Sequence, residues 1–201
     1  MSRIGILGGT FNPIHKGHTQ LAEYCKEQLG FEKVLLVPDY IPPHKSDNNL
    51  VNTEHRLNMC RLAVKELDDF EISEIEIERQ GRSYTYETLS SLKELYSNDE
   101  LVFIAGADMF LTLHSWRRPE IIFQKAAIAT APRNEIGRTE LERYYNDIIK
   151  PMGALAYILE NPVIQVSSTY VRENIYSDKN ICSLIDSNVY KYIAENNLYR
   201  K

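Results

Sequence analysis

Residues 3–30 read RIGILGGTFNPIHKGHTQLAEYCKEQLG, and this stretch decides the fold. It begins with a short apolar run, which predicts a buried β-strand. From residue 18 to residue 29 the apolar side chains recur at helical spacing, and Gly30 ends that stripe, so a helix is predicted there. A strand that leads through glycines into a helix is typical of the first half of a β–α–β unit.

The rest of the chain repeats this alternation of short apolar strands and helices. Further strands are predicted at 33–38, 71–79, 100–106, 126–131, 155–159 and 163–167. Further helices are predicted at 53–67, 84–96, 119–125, 139–146, 167–175 and 186–199. Since no internal repeat or linker interrupts the pattern, we expect one α/β domain over residues 1–201, with a doubly wound parallel sheet and helices on both faces.

The junction between the first strand and the first helix has the features of an anion site. Gly8 and Gly9 let the backbone approach a ligand closely. The start of a helix offers unpaired N–H groups and the positive end of the helix dipole. His15 and His18 are three residues apart, so both rings can lie on one side and donate to a phosphate, and Thr10 adds a hydroxyl. In a parallel sheet such a junction lies at the carboxyl edge, where ligands bind.

Two common nucleotide-binding patterns, G-x-G-x-x-G and G-x-x-x-x-G-K-[ST], are not found at this junction. Residues 8–18, GGTFNPIHKGH, instead resemble the signature G-G-[ST]-F-[DN]-P-x-H-x-G-H of adenylyltransferases in the nucleotidyltransferase superfamily. Residues 166–175, VSSTYVRENI, resemble the I-S-S-T-x-[IV]-R motif of the same superfamily. Together the two motifs imply a Rossmann-like nucleotidyltransferase fold.

The same resemblance implies an ATP site and catalytic roles for His15, His18 and Arg172. The implied ATP-binding residues are Gly8, Gly9, Thr10, Phe11, His15, His18, Gly106, Asp108, Ser167, Ser168, Thr169 and Arg172. Arg172 would hold the β- and γ-phosphates with its bidentate fork, and Asp108 would accept hydroxyl protons of the ribose. Mg²⁺ is expected to accompany ATP and to be coordinated by phosphate and water, with no metal ligand from the protein.

Three further segments resemble the bacterial nicotinate-nucleotide adenylyltransferase family. They are GADMFLTLHSW at 106–116, GRSYTYETL at 81–89 and PPHK at 42–45. The resemblance implies that Trp116 stacks on the pyridine ring and that the backbone at Thr85 binds the nicotinate carboxylate. The implied acceptor substrate is therefore nicotinate mononucleotide.

The remaining residues of the mononucleotide site follow from the same resemblance, with some departures. Lys45 would pair with the mononucleotide phosphate, and Tyr84 and Arg117 would complete the site. Arg117 stands where an aromatic or polar residue is usual, although its backbone N–H can still serve. Glu87 replaces the family's aspartate, and APRNE stands at 131–135 in place of RPG, which leaves Arg133 undecided as a ligand.

The activity implied is transfer of AMP from ATP to nicotinate mononucleotide, which yields deamido-NAD and pyrophosphate in NAD biosynthesis. Three alternatives stay open: a pantetheine-phosphate adenylyltransferase, a nicotinamide-mononucleotide adenylyltransferase, and a non-catalytic nucleotide-binding sensor on the same fold. The first is typically shorter and lacks the Trp116 region. The presence of both histidines and Arg172 argues against the sensor.

The composition of the chain limits the kinds of partner that we expect for it. The chain has 28 acidic and 23 basic residues, a net charge of −5, which argues against nucleic acid as a partner. It begins with no signal peptide and has no apolar run as long as a membrane span, so we expect a cytoplasmic protein without a membrane partner. The three cysteines are far apart and are expected to be buried free thiols. A homo-oligomer is left open, but the tyrosine-rich C-terminal helix is expected to pack against the sheet.

Overall fold

A computed structural model describes residues 2–42, 50–133, 135–160, 164–178 and 180–200, which form a single sheet flanked by helices. The strands are β1 (Arg3–Gly9), β2 (Lys33–Pro38), β3 (Phe70–Ile72), β4 (Glu100–Ile104), β5 (Ala127–Thr130) and β6 (Ala156–Ile158). The α-helices are α1 (Lys16–Leu29), α2 (Thr53–Val64), α3 (Ile75–Arg79), α4 (Thr85–Leu95), α5 (Ala107–Phe110), α6 (Pro119–Lys125), α7 (Arg138–Tyr144), α8 (Ser168–Asn174), α9 (Ile181–Leu184) and α10 (Ser187–Glu195). A 3₁₀ turn at Leu113–Ser115 and a π-helical turn at Tyr145–Ile149 complete the regular structure.

All neighbouring strands pair in parallel, in the order β3-β2-β1-β4-β5-β6. The chain builds the sheet outward from β1 to β3 and then returns to add β4 on the other side of β1. The carboxyl ends of β1 and β4 therefore mark the point where the strand order reverses, which is where open α/β sheets bind ligands.

The sheet is covered on both faces, as its apolar strands require. In β2 the four residues from Val34 to Val37 are each at most 2% exposed. One core lies between the sheet and the helices α1, α2, α8, α9 and α10. The other lies between the sheet and the helices α4 to α7. The predicted doubly wound α/β architecture is confirmed.

The predicted strand over residues 71–79 is wrong in its second half. The strand β3 ends at Ile72, and Ile75–Arg79 form the single turn α3. The alternation of isoleucine and glutamate suggested a strand with one wet face, but Glu76 is the buried residue of this turn. Its carboxylate accepts a hydrogen bond from the Thr88 hydroxyl of α4. Glu76 makes this inward-facing contact from a turn at the edge of the sheet.

The predicted strand at 163–167 is also wrong for its described residues, because 164–167 form no strand. The carbonyl of Val166 accepts a hydrogen bond from the Arg133 guanidinium, so at least one backbone group bonds to a side chain and not to a neighbouring strand. The segment lies against the start of α1, where it contacts Gly17.

The C-terminal helix was expected to pack against the sheet, and its contacts are chiefly with α2. Val189 and Ile193 of α10 belong to the core that contains α1 and α2. The hydroxyl of Tyr192 lies 2.9 Å from Nδ1 of His55 and accepts from the Asn58 amide at 3.1 Å, which ties α10 to α2.

The cysteines follow the expectation in part. All three are free, and Cys25 and Cys60 are buried, but Cys182 is exposed. Ile181, its neighbour on the one-turn helix α9, is the side chain that enters the core, so Cys182 faces outward. Within the described part of the chain, no helix combines the length and the apolar character needed to cross a membrane.

Gly17 allows α1 to approach the segment before α8. A β-carbon placed on Gly17 would lie 2.9 Å from Cγ1 of Val166 and 3.1 Å from the carbonyl oxygen of Ile164. Real side chains essentially never make contacts as short as the first of these, so only glycine fits between these backbones without displacement. The glycine between the two histidines is therefore explained by packing.

We predict that Gly17→Ala lowers the free energy of unfolding by about 1–3 kcal/mol, because overpacking outweighs the gain in helix propensity. The matched control is Gly137→Ala, since no described atom lies within 4 Å of a β-carbon built there. The control is expected to change stability by less than about 1 kcal/mol. Urea unfolding followed by circular dichroism measures both, and equal stabilities for the two variants would contradict the packing argument.

Candidate active site

A cavity of about 680 Å³ opens at the carboxyl ends of β1 and β4. Its volume lies within the range of pockets that hold small molecules and cofactors. The predicted site residues that line it are Gly8, Gly9, Thr10, His15, His18, Tyr84, Thr85, Gly106, Asp108, Trp116, Arg117, Ser167, Ser168, Thr169 and Arg172. Residues more than 150 positions apart along the sequence thus share one cavity at the predicted sheet edge.

The side chain of one predicted residue lies away from the cavity, and another predicted residue is not described. Phe11 is only 2% exposed and is not among the described residues that line the cavity. Its ring meets the edge of the His18 ring at a centroid distance of 5.2 Å, so its side chain supports His18 from the core. Lys45 lies outside the described residues, and its predicted contact with the mononucleotide phosphate stays a prediction.

The rings of His15 and His18 stack on one another at the start of α1. Their centroids are 3.6 Å apart and their planes differ by 18°. The backbone N–H of His15 donates to Nδ1 of His18 at 3.2 Å. Because Nδ1 is an acceptor, the neutral His18 ring carries its proton on Nε2. The His18 side chain can therefore present an N–H donor to a ligand in the cavity.

His15 is uncharged at neutral pH. The residue is 4% exposed, and its burial, followed by the nearby positive charge of Arg133, lowers the pKa of His15 to about 3. A neutral imidazole donates one N–H and contributes no full charge. The positive charge that a bound polyphosphate requires must therefore come mainly from arginines.

Arg172 is fixed between the two nucleotide motifs. Its Nη1 donates to the carbonyl of Asn12 at 2.8 Å, and its Nη2 donates to the Thr169 hydroxyl at 3.2 Å. The Ser168 hydroxyl donates to the carbonyl of Pro13 at 2.9 Å. These bonds hold the guanidinium at the cavity wall beside the turn that follows β1.

Ser167 caps α8. Its hydroxyl accepts a hydrogen bond from the backbone N–H of Tyr170 at 3.1 Å. The cap fixes where the helix begins and therefore where Arg172, one turn later, leaves the helix surface.

Arg133, undecided from the sequence, belongs to the cavity wall. It follows β5, its Nη2 donates to the Val166 carbonyl, and its Nη1 lies 4.0 Å from Oδ1 of Asp108. Asp108 keeps 57% of its side chain exposed, so its carboxylate is open to a ligand as well as to Arg133. Arg133 thus places a positive charge between His15 and the proposed ribose-binding carboxylate.

A fully buried arginine connects the loops that follow β1 and β2. Arg56 of α2 is 0% exposed, and its Nη1 donates to Oδ1 of Asp39 at 2.7 Å and to the carbonyl of Thr10 at 2.8 Å. Its Nη2 donates to the carbonyl of Tyr40 at 3.0 Å and to the hydroxyl of Thr53 at 3.1 Å. One guanidinium therefore fixes the backbone on both sides of the cavity floor.

The Thr10 hydroxyl does not have the role expected of it. It donates its single proton to Oδ2 of Asp39 at 2.7 Å, so it is not a donor to phosphate in this conformation. The physical reason is proximity, since the backbone bond between the N–H of Asp39 and the carbonyl of Gly9 (3.1 Å) brings the two loops together. The carboxylate of Asp39 is thereby compensated by both Arg56 and Thr10.

The far end of the cavity contains the predicted ring-binding residues. Thr85 is the first residue of α4, so its backbone N–H has no acceptor within the helix. Trp116 is half-buried, meets Phe103 edge to face at a centroid distance of 6.0 Å, and donates from Nε1 to the Thr112 hydroxyl at 3.1 Å. These contacts fix the indole at the cavity wall, in keeping with a stacking role.

The backbone around Trp116 identifies which amide is available to a ligand. The N–H of Trp116 donates to the carbonyl of Leu113 at 3.1 Å within the 3₁₀ turn. The N–H of Arg117 is therefore the better candidate to donate to a ring carboxylate.

Sequence reasoning missed several residues that line the cavity, among them Asp39, Glu76, Ser83 and Thr88, and it left Arg133 undecided. Asp39 and Arg133 each follow the carboxyl end of a parallel strand, and that position was a usable signal. Burial raises the pKa of the Glu76 carboxyl. The sequence did not indicate that this carboxyl is buried, because its segment was interpreted as a strand with one wet face. The hydroxyls of Ser83 and Thr88 became relevant only once Glu76 was placed beside them.

Comparison with known proteins agrees with this geometry. Residues 6–174 match the sequence profile of the cytidylyltransferase-like family. The nicotinate-nucleotide adenylyltransferase of Bacillus subtilis strain 168 is 37% identical over 199 residues, which cover 99% of each chain. A probable nicotinate-nucleotide adenylyltransferase of Carboxydothermus hydrogenoformans is 38% identical over 199 residues, which cover 99% of this chain and 98% of the relative. The chain belongs to the nicotinate-nucleotide adenylyltransferase family.

Solved structures share the fold. A Plasmodium falciparum nicotinic acid mononucleotide adenylyltransferase complexed with APC superposes with a TM-score of 0.79 at 20% identity, covering 99% of this chain and 98% of that one. The same enzyme complexed with NaAD gives a TM-score of 0.78 at 21% identity with the same coverage. At this identity the likeness establishes the architecture, which extends over nearly the whole chain.

We predict that Arg56→Met lowers the free energy of unfolding by about 3–5 kcal/mol, because it leaves the buried Asp39 carboxylate without its cation. The matched control is Arg61→Met, one further turn and a half along α2, where the arginine side chain is 50% exposed beside Glu74. The control is expected to lose less than about 1 kcal/mol. Chemical unfolding compares the two, and equal losses would mean that the buried pair does not stabilise the fold more than a surface pair.

Proposed function

We propose that the protein transfers AMP from ATP to nicotinate mononucleotide, which gives deamido-NAD and pyrophosphate. One observation carries the proposal: a single cavity at the sheet's reversal point contains the histidine pair, Arg172 and, at its other end, Trp116 with the start of α4. The first group of residues suits a triphosphate, and the second suits an aromatic ring that bears an anion. The family to which the chain belongs supports the same activity.

The chemistry requires little covalent help from the protein. The nucleophile is an oxygen of the substrate's own 5′-phosphate, which has lost its second proton at neutral pH because that pKa is about 6. It attacks the α-phosphorus of ATP in line, a new P–O bond forms, and the bond to the β-phosphate oxygen breaks. The protein's task is to position the two reactants and to neutralise charge.

The contacts at the nucleotide end suit this task. His15 and His18 would donate N–H groups to the α- and β-phosphates, together with the backbone at Gly8, Gly9 and the start of α1. Neutral His15 is suited to donation and not to removal of a proton, because its low pKa makes it a weak base. Arg133 adds positive charge beside it.

The remaining nucleotide contacts complete the proposed ATP site. Arg172 and the segment Ser167–Thr169 would hold the departing pyrophosphate, and Gly106 and Asp108 would contact the ribose of ATP. The substrate is the Mg²⁺ complex of ATP, in which phosphate and water supply the ligands.

The ring end of the cavity supports the acid as substrate. The amides of Thr85 and Arg117 are both donors, and a carboxylate can accept from both. An amide at the same place has one acceptor oxygen, and its NH₂ would leave one of these donors unpaired, at about 1–3 kcal/mol, apart from the loss of a charged acceptor.

The direct test is pyrophosphate release with ATP, Mg²⁺ and one mononucleotide at a time. We expect kcat/KM for nicotinate mononucleotide to exceed that for nicotinamide mononucleotide by about a hundredfold or more. Phosphopantetheine should give no turnover. Equal efficiency with the acid and the amide would overturn the substrate assignment, and no pyrophosphate with any acceptor would favour the non-catalytic sensor.

Trp116→Ala separates stacking from recognition of the ring substituent. Both mononucleotides present the same aromatic face, so the variant should weaken both while it largely keeps their ratio. A variant that loses the ratio instead would place the discrimination in the indole.

Arg172→Ala should lower kcat/KM for ATP about tenfold to a hundredfold, because one charge-assisted hydrogen bond to the leaving group is worth roughly 1.5–3 kcal/mol. The matched control is Arg138→Ala on α7, whose guanidinium pairs with Glu142 and Glu160 on the surface. Initial rates at limiting and saturating ATP measure both variants. An Arg172→Ala enzyme with the kinetics of the control would show that Arg172 does not handle the phosphates.

A further inference from the structure

The side chain of Arg117 connects the two segments that flank the ring end of the cavity. Arg117 follows Trp116 and precedes α6, and its guanidinium carbon lies 4.5 Å from the centroid of the Tyr84 ring. Tyr84 is the N-cap residue of α4 and therefore immediately precedes Thr85. Both Arg117 and Tyr84 line the cavity. The guanidinium of one of the two segments thus contacts the residue that precedes the Thr85 amide on the other.

Two interactions hold the guanidinium in this place. A guanidinium over an aromatic face is attracted by the negative charge of the π-cloud. The positively charged Arg82 and Arg117 also act on the Tyr84 phenol and lower its pKa. A long side chain that would otherwise sample many rotamers is therefore directed back toward the start of α4.

The positive charge of Arg117 is not neutralised by the nearest acidic residue that acts on it. Glu87 contributes to the raised pKa of Arg117, but more weakly than Tyr84 does. The Glu87 carboxylate itself accepts a hydrogen bond from the Tyr86 hydroxyl at 2.7 Å and lies 3.8 Å from Nε of Arg79. Because Glu87 is engaged elsewhere, the guanidinium can act on an anion at the cavity rim.

We propose that the Arg117 side chain is a specificity-determining group that favours a mononucleotide with an anionic ring substituent over the neutral amide. The inference rests on the proposed function, and it assigns to the guanidinium a part of the discrimination separate from the backbone amides. Any residue at position 117 would supply the amide, whereas only this side chain supplies the charge. At several ångströms in a partly solvated site, one unit charge is expected to change the acid-to-amide ratio by about fivefold.

The sole tryptophan of the chain provides a readout that does not depend on turnover. Quenching of Trp116 fluorescence by nicotinate mononucleotide and by nicotinamide mononucleotide gives the ratio of their dissociation constants. The ratio of kcat/KM values is measured in parallel. The variants are Arg117→Gln, which removes the charge, and Arg117→Lys, which keeps a charge without the planar stack.

Arg118→Gln is the matched control. Arg118 is adjacent in sequence, its Nη1 lies 3.8 Å from the Glu120 carboxylate, and it is not among the described residues that line the cavity. We expect the acid-to-amide ratio to fall about fivefold in Arg117→Gln, to fall less in Arg117→Lys, and to keep the wild-type value in Arg118→Gln.

Salt separates charge from hydrogen bonding. Between about 0.01 M and about 1 M salt the screening length falls from about 30 Å to about 3 Å. The wild-type ratio should fall with salt toward the value of Arg117→Gln, while the ratio of that variant should change little.

The outcomes discriminate this inference from the proposed function. If Arg117→Gln weakens the acid and the amide equally, the side chain only shapes the rim, and the inference is wrong. The same conclusion follows if the wild-type ratio is independent of salt. If the wild type binds the acid with a charge-dependent preference but releases no pyrophosphate, the proposed activity fails and the role of Arg117 stands.

Discussion

The buried guanidinium of Arg56 is the constraint on which the cavity depends. A charge with no exposed surface requires compensation, and here a carboxylate, a hydroxyl and two backbone carbonyls accept from the two terminal nitrogens of the guanidinium. The two carbonyls belong to the loops after β1 and β2. Because the guanidinium is planar and its donors are fixed in direction, it sets the relative position of these loops. The position of the cavity floor, on which both substrates would rest, is therefore set before either substrate binds.

A second set of contacts, between distant parts of the chain, completes the nucleotide end of the cavity. The turn after β1 accepts hydrogen bonds from Ser168 and Arg172, and the segment before α8 lies against Gly17. The Arg133 guanidinium adds a bond to the Val166 carbonyl. Neither motif would form a triphosphate site alone, since each motif supplies only one wall of the cavity. Their docking places the two histidines on one side and the Arg172 charge on the other.

The charge of the cavity differs from that of the whole protein. The chain carries a net charge of −5, yet Arg117, Arg133 and Arg172 all line the cavity. His15 does not add to this positive charge, because burial keeps the ring neutral. These three arginines can attract a small anionic ligand into the cavity, which Asp39, Glu76 and Asp108 line as well. Local placement, and not composition, therefore decides what the cavity attracts.

The sequence by itself determined the class of fold and the edge of the sheet at which the cavity opens, and it predicted a part of the cavity's lining. Apolar runs of strand length alternate with helical stripes, and glycines followed by histidines mark one strand–helix junction. Both features are local, so they can be recognised in the sequence. The assignment of Trp116 and Thr85 came from resemblance to a family, since neither residue type at its position implies a ring site alone.

Only the tertiary structure decided where the polar groups of distant segments meet. Arg56, Asp39 and Glu76 looked like ordinary charged residues of a helix, a loop and an edge strand, because burial is a property of the packed chain and not of the local pattern. The Thr10 hydroxyl was expected to face phosphate, and the approach of the loop after β2 gave it a carboxylate instead. Phe11 was expected at the ligand and lies in the core against His18. For Thr10 a long-range contact overrode the local expectation, because a buried polar group bonds to the partner that the fold brings within reach.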